Sequence, residues 1–145
     1  MSSRVNPLAA YGRVANAETN PLQQIIMLYD GAVKFLRLAA ADMMVGDLPA
    51  KAEHTNRALD IITYLQSILD FERGGDVAPA LDLFYTSLML QILKASAALD
   101  SVQMGQAAEL LQPVRDAWAA QAPASAPAFA AAGVPSFAGS HQLIA

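Results

Sequence analysis

Long apolar side chains recur at every third or fourth position from about residue 21 to residue 121. This spacing is typical of the buried faces of amphipathic helices. The pattern divides into four predicted helices, which run from Pro21 to Met44, Pro49 to Phe71, Val77 to Leu99 and Val102 to Ala120. No strand-like alternation competes with them. The sequence therefore predicts an all-α protein, an antiparallel up-down four-helix bundle joined by short loops.

Capping and breaking residues mark the ends of these helices. Asn20 precedes Pro21 and is a favourable N-cap, and Gly46 is expected to end the first helix. Gly74-Gly75 stops the second helix, and Asp76 is expected to cap the third. Pro113 lies inside the fourth helix, where it is expected to kink or split it one turn earlier.

The two ends of the chain differ in composition from the middle. Residues 1–20 are rich in turn formers, and residues 122–145 consist mostly of Ala, Pro, Ser and Gly. No Asp, Glu, Lys or Arg follows Asp116. We therefore expect an N-terminal segment over 1–20, a helical bundle over 21–121 and a flexible tail over 122–145, without an internal repeat.

The third predicted helix is apolar on almost all sides. One of its stripes contains Leu81, Phe84, Tyr85, Leu88, Ile92, Ala95 and Leu99, and a second contains Leu83, Met89, Leu90 and Leu93. With 54% hydrophobic residues and a mean hydropathy of +0.31, the chain has more apolar surface than one small core normally buries. The second stripe either broadens the core or forms part of a groove for a partner helix.

Composition excludes several classes of protein. A net charge of −4 argues against nucleic acid as a partner, because phosphate binding needs a basic surface. The absence of cysteine rules out disulfides and thiolate sites and is compatible with the cytosol. Uncharged runs are too short to cross a bilayer, and no signal peptide is evident. We expect a cytoplasmic protein with no membrane insertion.

Candidate chemistry is sparse. His54 lies on a helix, as in a phosphotransfer bundle, but the residues after it do not match that pattern, so a plain surface histidine is favoured. Glu-x-x-His pairs and a phosphate-binding loop are absent, and neither a metal nor a cofactor is expected. We expect no enzymatic activity. Asp30 is either a paired polar residue or solvated, and Gly31 within a helix indicates close packing or the floor of a groove.

Four segments together resemble the FliS family of flagellar secretion chaperones. The first is Met27 to Leu36, which contains Tyr29-Asp30-Gly31, and the second is Ala58 to Ile62. The third is Leu69 to Ala78, with Gly74 and Gly75, and the fourth is Pro113 to Trp118. Each motif alone is weak, but four in the family's order are a specific signal.

This resemblance implies a helical bundle that binds the C-terminal segment of flagellin in hydrophobic grooves, prevents premature polymerisation and delivers it to the flagellar type III export apparatus. An N-terminal lid that occupies the groove is also implied, with Tyr11 as its aromatic anchor. The candidate groove residues are Met27, Phe35, Ile61, Leu65, Leu83, Leu90 and Leu93. A monomer or homodimer is expected. The alternatives are a phosphotransfer-like bundle that uses His54 and a structural bundle that self-associates.

Overall fold

The structure is a computed structural model and describes residues 20–121. It contains helix α1 (Pro21–Val45), α2 (Leu48–Ser67), α3 (Val77–Ala98) and α4 (Ser101–Ala120), with no strand among the described residues. The predicted all-α four-helix bundle is confirmed. The predicted N-terminal lid, apart from Asn20, and the tail over 122–145 lie outside the described residues.

The helices form a closed ring around one apolar core. Each helix packs against the next in the chain, and α4 returns to pack against α1. Helices α1 and α3 therefore stand diagonally opposite each other. The core is continuous across all four helices, and its largest fully buried side chains include Tyr29, Tyr85, Leu36, Ile62 and Met104.

Side-chain caps fix the starts of three helices. Asn20 Oδ1 accepts a hydrogen bond from the Gln23 amide at 2.8 Å at the start of α1. Asp47 and Asp100 cap α2 and α4 in the same way, accepting from the amides three residues on, at 3.1 and 3.0 Å. These bonds satisfy amides that would otherwise have no partner within the helix.

Two left-handed residues end α1 and α3. Gly46 has a φ of 76° and closes α1, as predicted, because glycine adopts this conformation without a steric cost. Leu99 occupies the equivalent position after α3 with a φ of 55°. A leucine there costs about 1–2 kcal/mol relative to an ordinary helical conformation.

The connection from α2 to α3 differs from the prediction. Helix α2 ends at Ser67, four residues before the predicted Phe71, because Asp70 organises a turn. Asp70 Oδ1 accepts from the amides of Glu72 and Arg73 at 3.0 Å, and its carbonyl accepts from Gly74. Asp76 precedes α3 as predicted, but its side chain makes no capping hydrogen bond.

Both glycines of this turn are required by its geometry. A Cβ on Gly74 would lie 2.6 Å from the Asp70 carbonyl oxygen and 2.8 Å from the Ala78 Cβ. Gly75 has a φ of 56°, in the left-handed region. The two glycines therefore do not end α2 but shape the turn that follows it, Gly74 through close packing and Gly75 through its conformational freedom.

Pro113 does not divide α4. The helix is continuous from Ser101 to Ala120, so of the two expected effects of Pro113 the split is wrong, and the kink stays a prediction. The residues on both sides of Pro113 that face the core, among them Leu111 and Val114, are fully buried. Tertiary packing therefore maintains the helix despite the backbone hydrogen bond that proline removes.

An aromatic cluster joins α1, α3 and α4 at the centre of the core. The hydroxyls of Tyr29 and Tyr85 are hydrogen-bonded to each other, and the Trp118 ring lies 6.5 Å from the Tyr29 ring, centre to centre. All three side chains are buried. Burial raises the pKa of both tyrosines well above the usual range, so both hydroxyls stay protonated and available for hydrogen bonding.

We predict that Tyr29→Phe lowers the free energy of unfolding by about 1–3 kcal/mol, because it leaves the buried Tyr85 hydroxyl without its partner. Tyr85→Phe tests the same bond from the other side. The double variant should lose less than the sum of the two single losses. Urea denaturation measures all four proteins, and strict additivity would show that the two hydroxyls are not coupled.

Gly74→Ala should destabilise the bundle by roughly 1–3 kcal/mol, because the new methyl group collides with the Asp70 carbonyl. Gly105→Ala is the matched control, since a Cβ there meets nothing within 4 Å inside a helix. That change should stabilise by about 0.5–1 kcal/mol. Thermal unfolding followed by circular dichroism compares the two, and an equal effect would contradict this account of Gly74.

Candidate functional site

The outer face of α3 carries an exposed apolar stripe. Leu83, Leu90 and Leu93, here called the α3 stripe, are 67%, 55% and 51% exposed. The opposite side of the same helix is buried in the core through Leu81, Tyr85, Leu88, Ile92 and Ala95. Of the two apolar stripes found in the sequence, the second therefore faces outward, except at half-buried Met89.

Polar contacts with α2 fix the rotation of α3. Gln66 Nε2 donates to Asp82 Oδ1 and to Thr86 Oγ1, both at 2.9 Å. One turn further along, Thr63 Oγ1 contacts the Met89 sulfur at 3.5 Å, which turns Met89 toward α2. On the other side, Gln91 Nε2 donates to the Gln103 carbonyl of α4. These contacts leave the three leucines of the stripe pointing away from both neighbours.

Two other predicted groove residues, Met27 and Phe35, lie on α1 and are half-buried. The Phe35 ring stacks on the His54 ring of α2, with centres 5.9 Å apart. Because α1 is diagonally opposite α3, these residues are separated from the α3 stripe by the width of the bundle. The structure therefore distributes the predicted groove over two sides.

His54 is not a free surface imidazole. Its Nδ1 donates to Asp42 Oδ2 at 2.6 Å, and Phe35 covers its ring. The cationic groups of Lys34 and Arg57 approach the same Phe35 ring at 5.6 and 5.7 Å. This arrangement joins α1 to α2. The sequence favoured a plain surface histidine, and the structure instead shows a partly buried one that is paired with Asp42.

Ile61 and Leu65 belong to the core. They are 3% and 2% exposed, so they form no part of an accessible groove in this structure. Their apolar spacing predicted burial equally well, and only the tertiary arrangement shows which side of α2 faces inward. Tyr11 lies outside the described residues. A role for any of these residues in binding stays a prediction.

Asp30 is paired across the bundle. Arg115 Nε of α4 donates to Asp30 Oδ1 at 2.8 Å, and Arg115 Nη2 lies 3.4 Å from the other carboxylate oxygen. The hydrogen bond to Asp30 raises the pKa of Arg115 further. Asp30 and Arg115 belong to the first and fourth segments that resemble the FliS family, and together they link α1 to α4. The neighbouring Gly31 is buried, as close packing requires.

A second exposed apolar area at one end of the bundle was missed from the sequence. It comprises the side chains around the α1–α2 and α3–α4 turns, Met44, Val45, Leu48, Leu99 and Val102. Ser101 Oγ lies 3.4 Å from the Met44 sulfur, so the two turns adjoin. The sequence offered one indication of this area. No glycine follows the third helix, so Leu99 takes the left-handed position there, and its side chain is exposed.

Neither a metal site nor a membrane span is found in the described part of the chain. Residues 20–121 contain no group of three or more potential metal ligands. No helix within this range is long and apolar enough to cross a bilayer.

Comparison with known proteins agrees with this arrangement. A family model described as flagellar protein FliS matches residues 4–125, which include all four helices. The chain belongs to the FliS family. Its resemblance to that family, inferred from four short motifs, is thereby confirmed over nearly the whole chain.

FliS relatives from distant bacteria share a quarter to a third of their residues with this chain. The flagellar secretion chaperone FliS of Vibrio cholerae is 34% identical over 115 residues, or 77% of this chain and 85% of the relative. That of Salmonella typhimurium is 33% identical over 116 residues, with shares of 77% and 86%. The Bacillus subtilis chaperone is 27% identical over 113 residues, with shares of 78% and 84%. The family is one of flagellar secretion chaperones.

Neighbouring leucines on α3 should respond very differently to truncation. Leu90→Ala should change the free energy of unfolding by no more than about 0.5 kcal/mol, because Leu90 contributes little to the core. Leu88→Ala should cost about 2–5 kcal/mol, because Leu88 is 2% exposed. Urea denaturation measures both, and a large loss at Leu90 would contradict the outward assignment of the stripe.

Proposed function

We propose that this protein is a cytosolic, non-enzymatic export chaperone that binds the disordered C-terminal region of flagellin. The observation that carries the proposal is the α3 stripe, a row of large apolar side chains on the outer face of a well-anchored helix. Membership of a flagellar secretion chaperone family supports a flagellar client. The resemblance on which flagellin was expected supports the choice of that client.

The α3 stripe suits an amphipathic helix. Leu83 and Leu90 are seven residues apart, or two helical turns, and Leu93 is a further three residues along the same outer face. A client helix that offers apolar residues at similar intervals can lie against this row, as helices do in hydrophobic grooves. The exposed neighbours Thr86 and Ser87 are uncharged, whereas Lys94, which follows Leu93, is exposed and charged. A client helix therefore has to leave the Lys94 ammonium group in solvent or offer it a carboxylate.

The energetics require a client that contacts more than the α3 stripe. Covering the exposed parts of three leucines contributes roughly 3–5 kcal/mol. Ordering a disordered segment costs about 2–5 kcal/mol, so the stripe alone leaves almost no net affinity. A second contact is therefore needed, and Met27 and Phe35 on the far side of the bundle are the predicted candidates. A long disordered segment can reach both sides, whereas a compact domain cannot.

Reversible binding of the flagellin segment is sufficient for every step of the proposed chaperone activity. Covering the C-terminal segment of flagellin withholds it from premature polymerisation, and the complex is then delivered to the type III export apparatus. Each step requires association and release, and none requires a bond to be made or broken. Tyr11 and the N-terminal segment are proposed to cover the same groove in the absence of flagellin.

Calorimetric titration with the last ~60 residues of the organism's own flagellin tests this function. We expect saturable binding near one-to-one, a gain in helicity and a negative heat-capacity change, because a disordered client folds onto an apolar surface. Leu83→Asp should weaken binding at least tenfold while the circular dichroism spectrum of the free protein stays unchanged. The absence of binding by the unmodified protein would refute the proposed function.

Val102→Asp is the matched control, because Val102 is as exposed as Leu83, at 67%, but lies at the end of the bundle. It should bind flagellin normally. If both variants lose binding equally, the client surface is not specific to the α3 stripe.

Sedimentation of the unmodified protein at several concentrations tests the self-association alternative and distinguishes a monomer from a homodimer. Loss of phosphate incorporation in His54→Ala would instead support phosphotransfer.

A further inference from the structure

The α3 stripe presents a problem whenever no client is bound. Three leucines that are at least half exposed on one face make a contiguous apolar surface, and such surfaces promote self-association. Gln66 and Thr63 of α2 and Gln91 of α3 make their contacts at the flanks of α3, so within the described residues the three leucines stay at least half exposed. A cover must therefore come from another part of the chain or from another molecule.

The C-terminal tail, residues 122–145, follows directly on the end of α4, the neighbour of α3. Helix α4 ends at Ala120, and α4 packs antiparallel against α3. The bond from Gln91 to the Gln103 carbonyl fixes their relative position, so the end of α4 lies level with the start of α3. At 1.5 Å per residue, Leu83 lies about 9 Å along α3 from Val77, and Leu93 about 24 Å.

The tail is long enough to follow the whole stripe. Phe129 is eight residues beyond Gln121, a span of up to about 28 Å when extended. Phe137 is another eight residues along and has roughly twice that reach. Both rings can therefore come to rest beside the stripe, the first near Leu83 or Leu90 and the second near Leu93.

The composition of the tail suits an apolar surface. It contains no Asp, Glu, Lys or Arg, so no carboxylate, ammonium or guanidinium side chain has to be desolvated when it docks. Its large apolar side chains are Phe129, Val134, Phe137, Leu143 and Ile144. Pro123, Pro127 and Pro135 restrict the unbound chain and so reduce the entropy lost on docking.

Covalent attachment means that weak contacts are sufficient. A short linker gives the tail an effective concentration in the millimolar range at the stripe. A contact with a dissociation constant near one millimolar would then cover the stripe about half of the time. An intermolecular client would still displace it, because the client makes additional contacts elsewhere on the bundle.

We propose that the C-terminal tail docks through Phe129 and Phe137 on the α3 stripe and competes there with the client. The proposal rests on the proposed function for the identity of the competitor, but the docking itself does not. The family match ends at residue 125, so nearly all of the tail lies beyond it. This regulation therefore belongs to this chain's own extension and is separate from the lid proposed at the N-terminus.

The first experiment measures docking without any client. Because the chain has no cysteine, Ser140→Cys introduces a single attachment site for a nitroxide label close to Phe137. In methyl NMR spectra of the full-length protein, the label should broaden the signals of Leu90 and Leu93 but not that of Val45 at the end of α1. Reduction of the nitroxide should restore the signals.

Equal broadening everywhere, or none at the stripe, overturns the proposal. Mixing labelled protein with unlabelled, isotope-enriched protein identifies the source of the effect. Broadening that persists in the mixed sample would assign the contact to a second copy and would also overturn it. Phe129→Ser with Phe137→Ser in the labelled chain should abolish the broadening, whereas Phe129→Leu with Phe137→Leu should retain most of it.

The second experiment adds the flagellin fragment. The double Phe→Ser variant should bind it about twofold more tightly than the unmodified protein, because the competent fraction of the stripe rises from about one half to one. The double Phe→Leu variant should bind like the unmodified protein. Unchanged affinity in the Phe→Ser variant would overturn competition. Broadening by the tail label in a protein that does not bind flagellin would instead refute the proposed function and leave the docking intact.

Discussion

A helix in a four-helix bundle can turn only one side toward the core, and α3 is apolar on two. This geometric constraint determines the surface of the protein. Once Leu81, Tyr85, Leu88 and Ile92 are buried, the leucines on the opposite side must face solvent. A chain under selection for stability alone would place polar residues there, so the outward leucines are best explained by a binding requirement.

Polar contacts decide which of the two apolar sides is buried. Leucines and isoleucines are nearly interchangeable in a core, so packing by itself discriminates weakly between rotations of α3. The Tyr29–Tyr85 bond and the contacts of Gln66 with Asp82 and Thr86 do discriminate, because a rotated helix would break all of them. The buried hydroxyl pair thus helps to specify which apolar side of α3 faces outward, although it lies inside the core.

Local rules gave the start of α1 at Asn20, its end at Gly46 and the second apolar stripe of α3. The end of α2 was missed, because the local turn that Asp70 organises begins before Gly74-Gly75. The continuity of α4 was missed because packing on both sides of Pro113 keeps the helix whole. The partners of Asp30 and His54 could not be predicted, because a sequence pattern gives the face of a helix but not its neighbour. Ile61 and Leu65 were assigned to the groove for the same reason.

The ring of helices closes between its first and last members, and this has a consequence for biosynthesis. The contacts of Tyr29 with Trp118 and of Asp30 with Arg115 can form only after α4 has been synthesised. At 5–20 residues per second, roughly 5–20 s of translation separate these residues. Throughout that interval the side of α1 that α4 later covers lacks its partner helix. A member of a chaperone family therefore passes, during its own synthesis, through a stage in which part of its core is uncovered.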